Sequence, residues 1–491
     1  MSVSNLGPEA IDFFPGTPIF FQSSDVQLSG DGGLPIFRQV DERLGLTADF
    51  AAALDDPRHP NSRDLSFVEM VRQRVYGILA NYEDQNDADT LRCDPIFKLI
   101  CGRRPDGPDL ASQPTLSRFE NCINIPSLKR LRVLLVDQFI ASFSEPPTHL
   151  TIDLDAVDDP AHGHQQLTFW HNYYDQNQYL PLLITCADND LIVSASLRHG
   201  SAHAALGADD DLEYVVTRLR AAWPDVVIYV RADAAFGIPR MFELCERLPV
   251  FYTFGLTANS VLQRRTKALL AQAVATWEQE RKQARQEERP AKPSRLFDGF
   301  WYRAKTWKQP RWVVAKAEAN TEGTNLRFVV SNRPGAEVMV ETTYDEYAMR
   351  GESENRNKEF KCDLHMDRLS DHRFCANYFR LYLHALAMNL LVRTRRLVAL
   401  PEPPRQPEEL PVEALEGQER QRHFRQRRQR DVLGEAQPAT WRRMLIKVAV
   451  QVVSRGRRVL IRLWEGWPHL EQFKQVLQRL AETLVALPAP P

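Results

Sequence analysis

Residues 149–163, HLTIDLDAVDDPAHG, and residues 226–237, VVIYVRADAAFG, decide how this chain folds. In the first stretch Leu150, Ile152 and Leu154 alternate with Thr151, Asp153 and Asp155, the period of two that marks a half-buried strand. Asp153 and Asp155 then share one face. The second stretch is a continuous apolar run ending in Asp233, the pattern expected of a strand buried on both faces. Arg231 stands two residues before that acid, on the same side, within reach of a phosphate. Asp158 and Asp159, next to Pro160, suit a turn after the first strand.

Working outward, strand patterns recur at 179–186 and 191–197, followed by a helical stripe of Leu212, Val215, Val216 and Leu219. The strand at 226–232 precedes a helix at 240–247 and a strand at 250–256. Three strands and then alternating helix and strand predict an α/β chain, a mixed sheet with helices on both faces. Residues 1–147 read as a helical N-terminal region, with helices such as Ser62–Tyr82, Arg92–Cys101 and Thr115–Asn121. Ser260–Arg289 reads as one long charged helix, and 297–332 as strands carrying Trp301, Tyr302, Trp307 and Trp312. After further helices at 363–396 come a proline- and glutamate-rich linker, 397–417, and a basic helical appendage, 418–491, with an amphipathic segment from Arg458 to Leu487.

Residues 347–361 read YAMRGESENRNKEFK and set Tyr347, Arg350, Glu354 and Lys361 at intervals of three, four and seven. At roughly 100° per residue these four fall within a helical sector of about 60°. Lys358 lies on the same face, so one carboxylate sits among cations and a phenol, an arrangement suited to a divalent metal beside phosphates.

This spacing, with acids at the ends of two upstream strands, resembles the tyrosine, arginine, glutamate, lysine signature of DDE-type insertion-sequence transposases. The likeness runs over about residues 30–395. It implies a ribonuclease H-like catalytic domain, 148–396, with a β-rich insertion at about 258–340. It also implies a catalytic and metal-binding triad of Asp155, Asp233 and Glu354. Asp153, Asp158 and Asp159 compete with Asp155 for the first position, and Val157 stands where relatives commonly have threonine. The triad would hold two Mg²⁺ ions about 3.5–4 Å apart, with Mn²⁺ as a substitute. Tyr347, Arg350, Lys358 and Lys361 would bind DNA, Arg350 by paired hydrogen bonds and lysine as a point charge. Trp307, flanked by Lys305, Lys308 and Arg311, is nominated to stack on a base, with a place in the core of a small sheet as the alternative.

The expected activity is cut-and-paste transposition: end cleavage and strand transfer at terminal inverted repeats, by a homodimer in a synaptic complex. A nuclease of the same fold without strand transfer, and a retained protein that only binds DNA, are the alternatives. At 491 residues and 43% apolar content the chain supports several domains with real cores. No secretory pattern is apparent, and Phe374–Val392 is interrupted by Arg380, His384 and Asn389, so it reads as a core helix and not a membrane span. Seven scattered cysteines suit a reducing cytoplasm, and the protein is expected to be nucleoid-associated. Glycine-rich nucleotide motifs are absent, and His162, His164 and His171 lack a regular metal-ligand spacing. The net charge is −2, yet Arg420–Arg462 carries thirteen Lys or Arg against Asp431 and Glu435. Phosphates sense local charge, within a Debye length of about 10 Å. That stretch is therefore an expected DNA footprint, its alternative being a weakly ordered polyanion-binding tail.

Overall fold

The computed structural model describes residues 19–21, 23–401 and 417–486. The expected linker at 397–417 lies mostly outside them. The N-terminal third is helical, and its central members are α1 (Phe67–Leu79), α2 (Gln113–Asn121) and α3 (Ile125–Ile140). Ser66 and Glu69 form a capping box that starts α1, and the Asn124 side chain caps α3.

The chain then builds an eight-stranded mixed sheet. Its strands are β1 (His149–Ala156), β2 (Leu182–Cys186), β3 (Ile192–Ser196), β4 (Val227–Ala232), β5 (Phe251–Leu256), β6 (Ser294–Tyr302), β7 (Arg311–Asn320) and β8 (Gly323–Ser331). Their order across the sheet is β6-β7-β8-β5-β4-β1-β2-β3. Strands β1, β4 and β5 run parallel, and all other pairings are antiparallel. The crossover helices between β3 and β5 are α4 (Ala208–Ala222) and α5 (Pro239–Arg247). The parallel centre with an antiparallel flank, covered by helices, is the ribonuclease H-like α/β fold.

Periodicity accounts for how these strands sit. Leu150, Ile152 and Leu154 of β1 and Ile228, Val230 and Ala232 of β4 are buried, and face the helices that cover that side. The opposite face carries Thr151, Asp153 and Asp155 on β1 and Tyr229 and Arg231 on β4. It is only partly covered, and part of it lines a cleft of about 730 Å³. Burial of β4 on both faces, expected from its apolar run, is therefore corrected: an uncovered functional face stays half open.

Other departures have equally local causes. The run at 179–186 divides at Pro181 into Gln176–Tyr179, part of a small separate sheet, and β2. Proline lacks the amide that an uninterrupted ladder needs. The long helix expected over 260–289 breaks at Thr266 into Ser260–Arg265 and α6 (Lys267–Gln286). The strands at 294–331 continue the main sheet, because β8 pairs directly with β5.

The signature segment follows as α7 (Val340–Ala348) and α8 (Arg350–Lys358), separated by a turn at Met349 and followed by a π-helical turn, Glu359–Asp363. Behind it runs α9 (Phe374–Val398), buried along nearly its whole length. Several buried polar residues of α9 have defined partners. Asn389 brackets the backbone of Ile192 with two bonds of 2.9 Å, and burial drives the pKa of His384 down to about 3 while the ring bonds the Leu364 carbonyl. Arg380 shares Glu120 with Arg74 at 2.5 and 2.7 Å. Among the described residues no helix is long and apolar enough to cross a membrane.

Glu120 is fully buried between two guanidiniums and ties α1 and α2 to α9. Glu120→Ala strands both cations in the core and is expected to cost about 3–5 kcal/mol. The measurement is a urea unfolding curve: a lower midpoint at an unchanged slope bears this out, and a shift worth less than about 1 kcal/mol contradicts it.

Candidate active site

The site forms where β1 and β4, parallel neighbours, end side by side. Asp155 lies in the last turn of β1, and Asp233 follows directly on β4. The Asp233 carboxylate accepts the Ala235 amide at 2.9 Å, which curls the loop after the strand and sets the acid's direction. That loop runs tight against β5. A Cβ at Gly255 would lie 2.6 Å from the Ala234 nitrogen and 2.9 Å from the Tyr347 hydroxyl, so only glycine admits both.

Opposite these acids lies α8. Its Asn357 donates to Asp155 Oδ2 at 2.8 Å, and Arg350 stands 3.9 Å from Asp155 Oδ1. Arg350 also pairs with Glu354, and Tyr347 is hydrogen-bonded to Arg350. Burial pushes the Asp155 pKa up to about 6; Arg350 and Asn357 oppose this, and the charges of Asp233 and Glu354 add to it. Asp155, Asp233, Glu354, Arg350 and Tyr347 thus share one electrostatic field. Burial, relieved in part by Arg350, also holds the Tyr347 hydroxyl above the usual phenol range.

Asp153, the near competitor of Asp155, is otherwise engaged. It is 1% exposed, bound at 2.7 Å through each oxygen by Arg231, and hydrogen-bonded by Ser353. Arg231 spends its third nitrogen on the Glu346 carbonyl at 2.8 Å. The expectation that Arg231 meets a phosphate is corrected, since its guanidinium is consumed inside the fold. Asp158 is paired with Lys361 at 2.6 Å. Asp159 is fully buried, and burial holds its pKa well above the ordinary carboxylate range. His162, considered as a metal ligand, bonds the Asp367 carbonyl at 2.7 Å.

The single helical sector expected for the signature is also corrected. Tyr347, Arg350 and Glu354 stay together across Met349, but the π turn after Lys358 shifts the helical phase, and Lys361 pairs with Asp158. π turns of this kind are rare and cluster at functional sites. Lys358 stands exposed on α8. Trp307 is 4% exposed and packs edge-on against Phe242 and Tyr302, which removes it as a base-stacking residue and makes it core. Of the Trp residues on β6 and β7, Trp301 is the exposed one, at 51%.

Two contributors, Ser353 and Asn357, escaped the motif reading, although counting three, four and seven from Arg350 reaches Ser353, Glu354 and Asn357 on one face. A third, Tyr174, lies on the hairpin after β1. Burial and the charges of Asp158, Asp155 and Asp233 push its pKa up to about 12. No local pattern distinguishes that tyrosine in the sequence.

Among the described residues no three His, Cys, Asp or Glu side chains are gathered tightly enough to hold one ion. Glu354 is half exposed and turned to Arg350. The donor chemistry nonetheless fits a hard divalent cation, because three carboxylates share a field in which Asp155 resists ionisation.

The mixed sheet and its helices define the class as ribonuclease H-like α/β proteins. Residues 17–408 match the family model described as Transposase DDE domain group 1, and the chain belongs to that family. No curated protein matches the chain. Family membership makes the protein a transposase that acts on DNA, from a family that normally uses divalent metals.

A raised Asp155 pKa has a thermodynamic sign. The folded state keeps its proton up to about pH 6, whereas the unfolded chain loses it near the ordinary value of 3.8. Between those values the folded state binds more protons, so this residue's contribution to stability falls as pH rises through that window. In metal-free buffer Asp155→Asn is expected to be more stable than wild type above pH 6, by on the order of 2 kcal/mol, and equal to it near pH 4. Thermal melts at the two pH values in chelator provide the measurement, and a melting difference independent of pH contradicts it.

Proposed function

We propose that the protein catalyses cut-and-paste transposition of an insertion sequence, with Asp155, Asp233 and Glu354 as its catalytic acids. The observation that carries this reading is the meeting of Asp155 and Asp233 at adjacent parallel strand ends, under the charge of a helix that presents Arg350 and Glu354. These three carboxylates would hold Mg²⁺, or Mn²⁺ in its place. Bound there, two ions would make the attacking oxygen a better nucleophile and stabilise the leaving one.

The remaining residues position DNA. Arg350, already between Asp155 and Glu354, would transfer part of its bonding to a phosphate, its planar fork matching two oxygens. Release of Glu354 from that pairing turns its carboxylate toward Asp155 and Asp233. Tyr347, hydrogen-bonded to Arg350, holds the guanidinium in place, and Asn357 fixes the Asp155 carboxylate by its 2.8 Å bond. Lys358 and Lys361 neutralise phosphate charge, Lys361 by leaving Asp158.

The chemistry is two displacements at phosphorus. Water attacks the phosphodiester at the element's end, giving a 3′-hydroxyl and a 5′-phosphate. The 3′-hydroxyl then attacks target DNA, forming one new phosphodiester as the target's own 3′-oxygen leaves. A homodimer would bring two element ends together for these steps, in the cytoplasm and at the nucleoid.

The test uses labelled duplex carrying the terminal repeats around the coding sequence, with a plasmid target and Mg²⁺ or Mn²⁺. Wild type is expected to cleave at the ends and join them to plasmid. Asp155→Asn, Asp233→Ala and Glu354→Ala should each lower both steps by at least about a thousandfold, the scale of losing an electrostatic centre of catalysis, with end binding retained. Normal joining by Asp233→Ala would overturn the site, and cleavage without joining would make the protein a nuclease.

A further inference from the structure

The family match ends at residue 408, and the chain beyond it folds back on the N-terminal helices. Trp441 is fully buried and meets Phe37 edge-on at 5.6 Å. The backbone of Gly32 and Gly33 bonds Val448 and Ile446 at 3.0 and 3.1 Å. A Cβ at Gly33 would lie 1.8 Å from the Leu445 carbonyl oxygen, so the two segments are in direct backbone contact. Leu470–Ala486 packs on α9, burying Val476 and Leu480. A wholly helical appendage and a weakly ordered tail are both corrected: Val450–Arg455 (β9) and Arg458–Leu463 (β10) form a ribbon joined by a tight turn, and β9 pairs with Gln27–Ser29.

One face of this ribbon is mainly apolar and packed, and the other carries its arginines. Val450, Val452, Val459, Ile461 and Leu463 pack toward the core. The opposite face presents Arg455 against Arg458 and Gln451 against Arg462 as cross-strand pairs, with Val453 against Leu460 between them, Arg457 in the turn and Trp464, 70% exposed, just beyond. From Arg442 to Trp464 there are seven Lys or Arg and no acid. Among the described residues no carboxylate pairs with Arg455, Arg457, Arg458 or Arg462; Arg462 reaches only Gln451, at 3.4 Å.

Like charges directly opposite on a ladder destabilise it, so the free protein gains nothing from setting Arg455 against Arg458. Charges also keep an edge strand from pairing with another chain, but either sign does that. A single sign, concentrated on one face of a rigid ribbon in a chain of net charge −2, complements a polyanion. Gln27–Ser29 pairs with Val450–Val452 alone, so the tip from Val453 to Leu460 is two-stranded, a shape that fits the major groove of duplex DNA, where arginines reach the backbone phosphates.

We infer that the β9–β10 ribbon is a second DNA-binding surface, outside the catalytic unit, which holds duplex DNA by its phosphates through Arg455, Arg457 and Arg458 without reading sequence. This rests on the transposase reading for its ligand.

The probe is a fluorescein-labelled random-sequence duplex, its affinity for the full-length protein followed by anisotropy from about 50 to 200 mM KCl. Arg455→Ala/Arg457→Ala/Arg458→Ala is expected to bind at least tenfold more weakly at low salt. The slope of log K against log salt should flatten by about 2.7, near 0.9 for each lost phosphate contact. The corresponding triple lysine variant should restore most of the slope. An unchanged slope in a variant that melts like wild type overturns the inference, as does self-association in place of lost DNA binding, which would mark the arginines as edge protection. End cleavage is assayed on the same preparations. Cleavage by wild type with no change of slope in the variant defeats the ribbon alone, whereas a wild type that binds duplex through the ribbon but never cleaves its own ends defeats the transposase reading.

Discussion

The buried pair of Asp153 and Arg231 joins the parts on which the candidate site is built. Asp153 belongs to β1 and Arg231 to β4, and the same cluster takes in Ser353 of α8 and the Glu346 carbonyl of α7. One ion pair thereby links the two central strands, already paired through their backbones, to the signature helices above them. A buried pair of this kind holds because each donor and acceptor is used; an unpaired charge there would be costly. Asp155, two residues along β1, can therefore stay less than fully compensated without loosening its surroundings.

The geometry around Asp155 sets opposed demands against one another. Burial, Asp233 and Glu354 favour the protonated acid, and Arg350 and Asn357 favour the carboxylate. Arg350 is the movable term in that balance. It pairs with Glu354 here, and in the proposed function a phosphate would compete for it. On that proposal DNA binding and alignment of the acids would be linked through one guanidinium, whose planar fork serves carboxylate and phosphate alike.

The molecule around the site is held together by polar residues placed where hydrophobic ones would have been simpler. Glu120 bridges Arg74 and Arg380, and Asn389 bonds both backbone groups of Ile192, so α9 is locked in register against the N-terminal helices and β3. The segment beyond the family match closes on the N-terminal part of the match through Gly32 and Gly33, which run along Ile446–Val450 too closely for any side chain. The C-terminal ribbon is therefore a fixed feature of the surface.

Short-range pattern determined much of this protein. The alternation in 150–155, the stripe through Leu212 and Leu219, and the order of strands and helices made the ribonuclease H-like core legible, because each depends only on neighbours in the chain. The intervals among Tyr347, Arg350 and Glu354 kept those three side chains in contact with one another for the same reason. Tertiary structure alone decided which of two aspartates on the same face was consumed, since Arg231 reaches Asp153 from another strand. It also turned Lys361 toward Asp158 through a π turn, buried Trp307 under Phe242 and Tyr302, and made a β ribbon of a stretch that read as an amphipathic helix. Apart from the ribbon's own hairpin, a partner distant in the chain outweighed local preference, and spacing within one segment carries no information about such a partner.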